Sequence, residues 1–148
     1  MGDRGNICII YDRYNKKTQK REPDYDKPVF FYAHWGGENL LKIVKSALEK
    51  RWRWSDDAYL ARIIFCELIE GSERGETGFG IAPFICDNEH PIIVIIPSES
   101  KVGLAKEDDY KTLYAEWSFD EFIDNDWGSL AYGGNSGKIE YDPSEDLD

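Results

Sequence analysis

The run PIIVIIP, residues 91–97, most constrains what this chain can fold into. Five consecutive β-branched residues stand between two prolines, with no polar residue among them. A short apolar segment of this kind is typical of a strand that is buried on both faces of a sheet. The run therefore predicts an interior strand.

Periodicity and turn residues predict a hairpin before a helix pair, and further strands after it. NICIIYD and PVFFYAHW are the hairpin strands, and the charged stretch between them is a predicted loop. A helical stripe follows from Glu38. The second helix, DAYLARIIFCELIEG, begins at an Asp-rich capping signal and is predicted to lie between the sheet and the first helix. IAPFICD and KTLYAEW are predicted strands, KVGLA is a candidate edge strand, and Ser118 with Glu121 forms the capping box of a short last helix.

The predicted fold class is α+β, as one domain over residues 1–127. Its sheet is antiparallel or mixed, in the order β-β-α-α-β-β-β-α, with the helix pair packed on one face. Residues 128–148 are rich in glycine and acids and are predicted to be a flexible tail. No apolar run approaches the roughly 20 residues that cross a bilayer, so no membrane association is expected. Three scattered cysteines predict buried thiols in a reducing cytoplasm.

The net charge of −11 is unevenly distributed. Up to Arg74 there are 14 basic and 12 acidic residues, and from there on 4 basic and 17 acidic residues. Direct binding of nucleic acid needs concentrated positive charge and is therefore disfavoured. Two interpretations of the acids stay open: a solvated surface and tail, or a surface that imitates nucleic acid to cover a basic protein site. The acids that would form a surface imitating nucleic acid are Asp120, Glu121, Asp124 and Asp126.

The most chemically varied segment is His34-Trp35-Gly36-Gly37, which joins a predicted strand to a predicted helix. Backbone N–H groups and the dipole at a helix start suit an anion. His34 could donate a hydrogen bond, and Trp35 could stack on a planar ligand. The structural alternative is that the histidine caps the strand, the tryptophan seals the core and the glycines turn the chain. The coincidence of polar, aromatic and backbone-exposing residues favours ligand binding.

Three further residues are candidates to complete a ligand site. Phe79 lies in a glycine-rich segment that is either a flap over a ligand or an ordinary turn. Arg62, inside the apolar helix, either reaches a ligand anion or extends outward to solvent. His90 lies in DNEHP, where a turn is favoured over a metal site shared with His34. No catalytic residue, metal site or cofactor is predicted.

The motifs MGDRGNI, FYAHWGG, YLARIIF, GFGI and DNEHPI together resemble a family of small uncharacterised proteins of microbial genomes and their phages. The resemblance covers residues 1–122 and implies no activity or catalytic residue. It implies a biological context, because small phage proteins often block host defence by sequestering nucleotide signals or by imitating DNA.

Composition, site and context together predict a non-enzymatic binding module for a small, polar, nucleotide-like ligand. As a phage counter-defence protein it would sequester such a signal. One alternative is an acidic inhibitor that binds a basic host protein. Another is a small hydrolase that uses His34 with nearby carboxylates. A ligand site shared between subunits of a homo-oligomer is a further expectation.

Overall fold

A six-stranded mixed sheet carries the fold of residues 2–127, the part of the chain that this computed structural model describes. The α+β class and the packed helix pair are confirmed. Four strands follow the helix pair, one more than predicted, because KVGLA forms a strand of its own. The predicted tail, residues 128–148, lies outside the described residues.

The elements are β1 (Gly5–Asn15), β2 (Lys20–Ala33), a 3₁₀ turn (Gly37–Asn39), α1 (Leu40–Glu49), α2 (Asp57–Ile69), β3 (Phe79–Ala82), β4 (Ile92–Ile96), a second 3₁₀ turn (Pro97–Glu99), β5 (Lys101–Lys106), β6 (Asp109–Ser118) and α3 (Phe119–Ile123).

The strands lie in the order β3-β2-β1-β4-β5-β6. Neighbours are antiparallel except for β1 and β4, which are parallel. The PIIVIIP run forms β4 at the centre of the sheet, and all five of its strand residues are buried, so the predicted interior strand is confirmed. KVGLA forms β5, which lies between β4 and β6 and is not an edge strand.

Strand β2 is longer than predicted and bends at its prolines. Its pairing with β1 skips from Pro28 to Pro23, which leaves residues 24–27 as a bulge. Proline has no N–H to donate to a neighbouring strand, so a break in pairing is expected where it occurs. The bulge carries Tyr25 over the sheet face that the helices leave open, where the Tyr110 hydroxyl donates a hydrogen bond of 2.6 Å to the Tyr25 carbonyl oxygen. The predicted charged loop is therefore largely strand.

Both faces of the sheet are buried, and side chains alternate between them along each strand. Ile7, Ile9, Ile93 and Ile95 share the main core with the helices. A smaller apolar cluster covers the opposite face: Cys8, Ile10, Phe30, Ile92, Val94, Ile96 and Ala105, with Tyr25, Ile85, Tyr110 and Leu113 packed against it.

The helix caps follow the sequence closely. The Asp56 carboxylate accepts the Tyr59 N–H at the start of α2, and both hydrogen bonds of the Ser118–Glu121 capping box are present. Helix α2 differs from the prediction because Tyr59, Arg62 and Cys66 are exposed, so one side of the helix faces solvent. The prediction of buried thiols is therefore wrong for Cys66 and holds fully only for Cys8. Among residues 2–127, no helix is both long enough and apolar enough to cross a membrane.

Candidate functional site

Three segments that are distant in sequence meet where β2 ends and α1 begins. They are the N-terminal segment, the HWGG segment and the DNEHP turn, and we call this meeting point the N-terminal junction. Three backbone hydrogen bonds join them: Asp3 N–H to His34 O (2.9 Å), Gly37 N–H to Asp3 O (2.7 Å) and Glu89 N–H to Arg4 O (2.9 Å). The junction therefore brings together three of the motifs on which the family resemblance rests.

The Asp3 carboxylate occupies the start of the 3₁₀ turn that leads into α1, which we call the helix start. Its Oδ2 accepts the Glu38 backbone N–H at 3.0 Å, and its Oδ1 pairs with Nε2 of His90. Partial burial raises the pKa of Asp3, but the hydrogen bonds from His90 and from the Glu38 N–H outweigh it and hold that pKa below its usual value. The position predicted for a ligand anion is thus filled by a carboxylate of the chain itself.

Two more side chains of the N-terminal segment hold the DNEHP turn. Arg4 Nε lies 2.9 Å from Glu89 Oε1 and its Nη1 lies 3.2 Å from Asp87 Oδ2. Hydrogen bonds from the Arg4 backbone and side chain lower the pKa of Glu89. Asn6 is fully buried, and its amide donates to the Asp87 carbonyl oxygen at 3.3 Å and to Asn88 Oδ1 at 3.1 Å. These contacts satisfy a buried polar side chain, as a stable junction requires.

Glycine is required at the two positions of HWGG for different structural reasons. Gly36 adopts a left-handed conformation with φ of 75°, which glycine tolerates best. Gly37 is buried, and a Cβ at this position would lie 2.7 Å from both the Asp3 carbonyl oxygen and His90 Cδ2. The turn and the close approach of the N-terminal segment account for both glycines without a ligand.

His34 and Trp35 lie at the border of the junction. Nδ1 of His34 is hydrogen-bonded to the Tyr32 hydroxyl, 2.8 Å away. The His34 ring also packs edge-on against the Trp35 ring, with 4.5 Å between the ring centroids. Trp35 is 55% exposed, so it does not seal the core. His34 is hydrogen-bonded to a hydroxyl group, whereas the histidine that meets a carboxylate is His90.

A pocket of about 630 Å³ opens beside Trp35, which we call the Trp35 pocket. Its other walls come from Phe79 and from the loop that joins α2 to β3. The loop is held against the tryptophan, because the His34 N–H donates to the Gly78 carbonyl oxygen at 2.8 Å and a Cβ at Gly78 would lie 3.3 Å from the Trp35 ring. The charged residues of the wall are Glu73 and Arg74. The pocket combines two aromatic rings with one guanidinium group.

The seven residues predicted for a ligand site fall in different places. Trp35 and Phe79 line one pocket, and His34 packs on Trp35. The others lie elsewhere: Gly36, Gly37 and His90 at the N-terminal junction, and Arg62 on the exposed side of α2, where its Nη1 lies 3.8 Å from Cys66 Sγ. Sequence reasoning missed Arg74, whose only local signal was its place in a glycine-rich loop.

No group of three or more His, Cys, Asp or Glu side chains among residues 2–127 is arranged to hold a metal ion. Of the acids singled out as a nucleic-acid mimic, Asp120 pairs with Arg51 at 2.9 Å and Glu121 closes the capping box of α3. Asp120 and Glu121 thus have local structural partners.

Comparisons of the chain with protein-family models, with curated proteins and with solved structures find no match. The geometry of the site is therefore the basis for a functional proposal.

Proposed function

We propose that the protein is a non-enzymatic binding module that holds a small, planar, anionic ligand of nucleotide type in the Trp35 pocket. The observation that carries the proposal is the half-exposed Trp35, which lines a pocket of about 630 Å³ together with Phe79 and Arg74. Pockets of about 300–1,000 Å³ are typical of small-molecule sites. Trp35 stacks on the base, and Arg74 meets the phosphate.

The ligand site proposed here differs from a site at the helix start. At the helix start the Asp3 carboxylate takes the Glu38 N–H and pairs with His90, so a ligand anion there would meet a like charge. The Trp35 pocket has a cation, Arg74, and an aromatic surface open to solvent, and the one carboxylate in its wall, Glu73, accepts the Gly71 N–H at 2.7 Å. These features support the pocket as the place of binding.

The wider role within this proposal is sequestration of a nucleotide-like signal in a reducing cytoplasm, as a phage counter-defence protein. It is supported by the resemblance of the motifs and by the three cysteines, which are all free thiols. Sequestration needs tight binding of the ground state and no preference for a transition state. The bound ligand should therefore be recovered unchanged after the protein is denatured.

A thermal-shift screen tests the proposal, because a ligand that binds only the native state raises its melting temperature. The probes are AMP, ATP, cyclic AMP and a cyclic dinucleotide, followed by calorimetry of any hit. Trp35→Ala should weaken the hit about fivefold or more, since stacking on one base contributes about 1–3 kcal/mol. Arg74→Gln should weaken it as well, whereas Arg62→Gln, on the exposed side of α2, is the matched control. No hit, or a hit that is insensitive to Trp35→Ala, refutes the site; conversion of the ligand refutes the non-enzymatic role.

A further inference from the structure

A second surface lies at the β3 edge of the sheet, whose first residue, Phe79, also lines the Trp35 pocket. Strand β3 pairs with β2 on one side, and no other strand among residues 2–127 pairs with its outer side. Its four residues, Phe79–Ala82, include no charge and no proline. An exposed strand edge presents unpaired N–H and C=O groups, and proteins usually protect such edges with charges, prolines or cover.

The opposite edge of the sheet shows the usual protection. Strand β6 carries Lys111 and Glu116 along its length, and helix α3 follows it directly. The β3 edge lacks these charges, and its only comparable protection is its short length of four residues.

Exposed apolar side chains cluster at the same edge. Ile81 is 60% exposed and Phe84 is 63% exposed, the two highest values among the large hydrophobic side chains that the structure describes. Pro83, Phe84 and Phe30 line a second pocket of about 370 Å³ on the sheet face away from the helices, whereas Ile81 pairs with Phe31 and lies on the helix face. Exposed apolar groups that adjoin a pocket mark interaction sites more often than isolated ones do.

The rim of this second pocket is acidic. Asp26, Asp108 and Asp109 line it, against one cation, Lys111, whose Nζ lies 3.7 Å from Asp26 Oδ1. The rim therefore carries an excess of negative charge. A partner with basic residues beside apolar ones complements this rim.

We propose that the β3 edge binds an extended basic peptide segment of another protein by strand addition. The segment pairs its backbone with β3, places apolar side chains against Ile81 and Phe84, and brings Lys or Arg to the acidic rim. A second copy of this chain fits less well, because each copy carries a net charge of −11 and the two acidic rims would approach one another. This inference does not depend on the Trp35 pocket or its ligand.

Fluorescence anisotropy with a labelled octapeptide, one-letter sequence KVTFTVRK, tests the proposal. We expect saturable binding that weakens by about threefold or more when the salt concentration rises from about 0.02 to 0.3 M. Ile81→Lys, at a largely exposed position, should weaken binding by about tenfold or more, because it charges the open edge. Thr112→Lys, an exposed residue of β6, is the matched control and should leave binding unchanged.

Three further arms separate backbone pairing, charge and self-association. Two peptides are N-methylated at every second residue, one at the odd positions and one at the even positions, and at least one of them should no longer bind. The peptide EVTFTVEE, in which the basic residues are replaced by glutamates, should bind weakly. Asp108→Asn should weaken binding, whereas Asp124→Asn, the same change at the end of α3, should not. No saturable binding, or binding indifferent to Ile81→Lys and to N-methylation, refutes the proposal. A dimer in solution that Ile81→Lys abolishes also refutes it, because the occupant is then a second copy.

Discussion

Replacing Asp3 by alanine tests whether the N-terminal segment caps the 3₁₀ turn that leads into α1. Asp3 accepts the Glu38 N–H and pairs with His90. Loss of a helix-capping side chain costs about 1 kcal/mol. Loss of a hydrogen bond to a charged group costs about 1.5–3 kcal/mol when it is buried, but the Asp3 side chain is 37% exposed, and solvent reduces this to about 1 kcal/mol. The free energy of unfolding should therefore fall by about 2 kcal/mol.

Urea-induced unfolding, followed by far-ultraviolet circular dichroism, measures the effect at neutral pH. A loss of about 2 kcal/mol moves the urea midpoint by roughly 1 M, if the denaturant slope is about 2 kcal/mol/M. The melting temperature should fall by about 6 °C for a chain of this size. Asp3→Asn keeps an oxygen for the Glu38 N–H but removes the charge, so its effect should be about half as large. Asp124→Ala, at an exposed position, is the control and should change stability by less than about 0.5 kcal/mol.

Two results would refute the reasoning. One is an Asp3→Ala variant whose stability lies within about 0.5 kcal/mol of the unchanged protein. The other is a double-mutant cycle between Asp3→Asn and His90→Gln without coupling, because side chains in direct contact should show an interaction energy of at least about 0.5 kcal/mol. The first result denies the cap, and the second denies the ion pair.

Three more predictions follow from the same contacts and from the thiols. The pKa of Asp3 is lowered on folding, so Asp3 stabilises the fold only while its carboxylate is charged. The difference in unfolding free energy between the unchanged protein and Asp3→Asn should therefore be complete above about pH 4 and disappear as the pH falls through the folded-state pKa. Urea titrations at several pH values measure this difference and would show the opposite trend if the pKa were raised. Gly37→Ala should lower the free energy of unfolding by about 2 kcal/mol in urea titrations, because its Cβ would meet backbone atoms, whereas Gly80→Ala, with nothing within 4 Å, should be nearly neutral. Burial raises the pKa of the Cys8 thiol, so a thiol reagent should label exposed Cys66 first and Cys8 only after unfolding; mass spectrometry that finds prompt labelling of native Cys8 would contradict this.

The elements that sequence predicted well are those whose signals are local. The apolar run of β4, the Asp56 cap and the Ser118–Glu121 capping box each depend on residues within a few positions of one another. Strand β2 was underestimated because its first half is charged and contains Pro23, which locally indicates a loop. Its pairing with β1 overrides that local preference, as tertiary contacts often do.

The candidate site was less predictable because its contacts join distant parts of the chain. Asp3 and His90 are 87 positions apart, and no local pattern indicates that one caps a helix that the other supports. Trp35 and Phe79 were both predicted as ligand residues, and they do line one pocket, but Arg74 enters its wall only through the path of the α2–β3 loop. A periodicity argument assigns residues to elements, and the path of a glycine-rich loop lies beyond it.

The Asp3 carboxylate also decides between the two places where an anionic ligand could bind. A ligand phosphate at the start of the helix would have to displace Asp3 from the Glu38 N–H and from His90. That displacement costs the capping contribution worked out above, about 2 kcal/mol, which weakens binding roughly 30-fold. The Trp35 pocket imposes no such displacement, since Arg74 and the half-exposed Trp35 are already part of its wall. Asp3→Ala should consequently leave ligand binding at the Trp35 pocket unchanged while it destabilises the fold. A large gain in affinity for the same nucleotide would instead indicate that the ligand binds at the helix start.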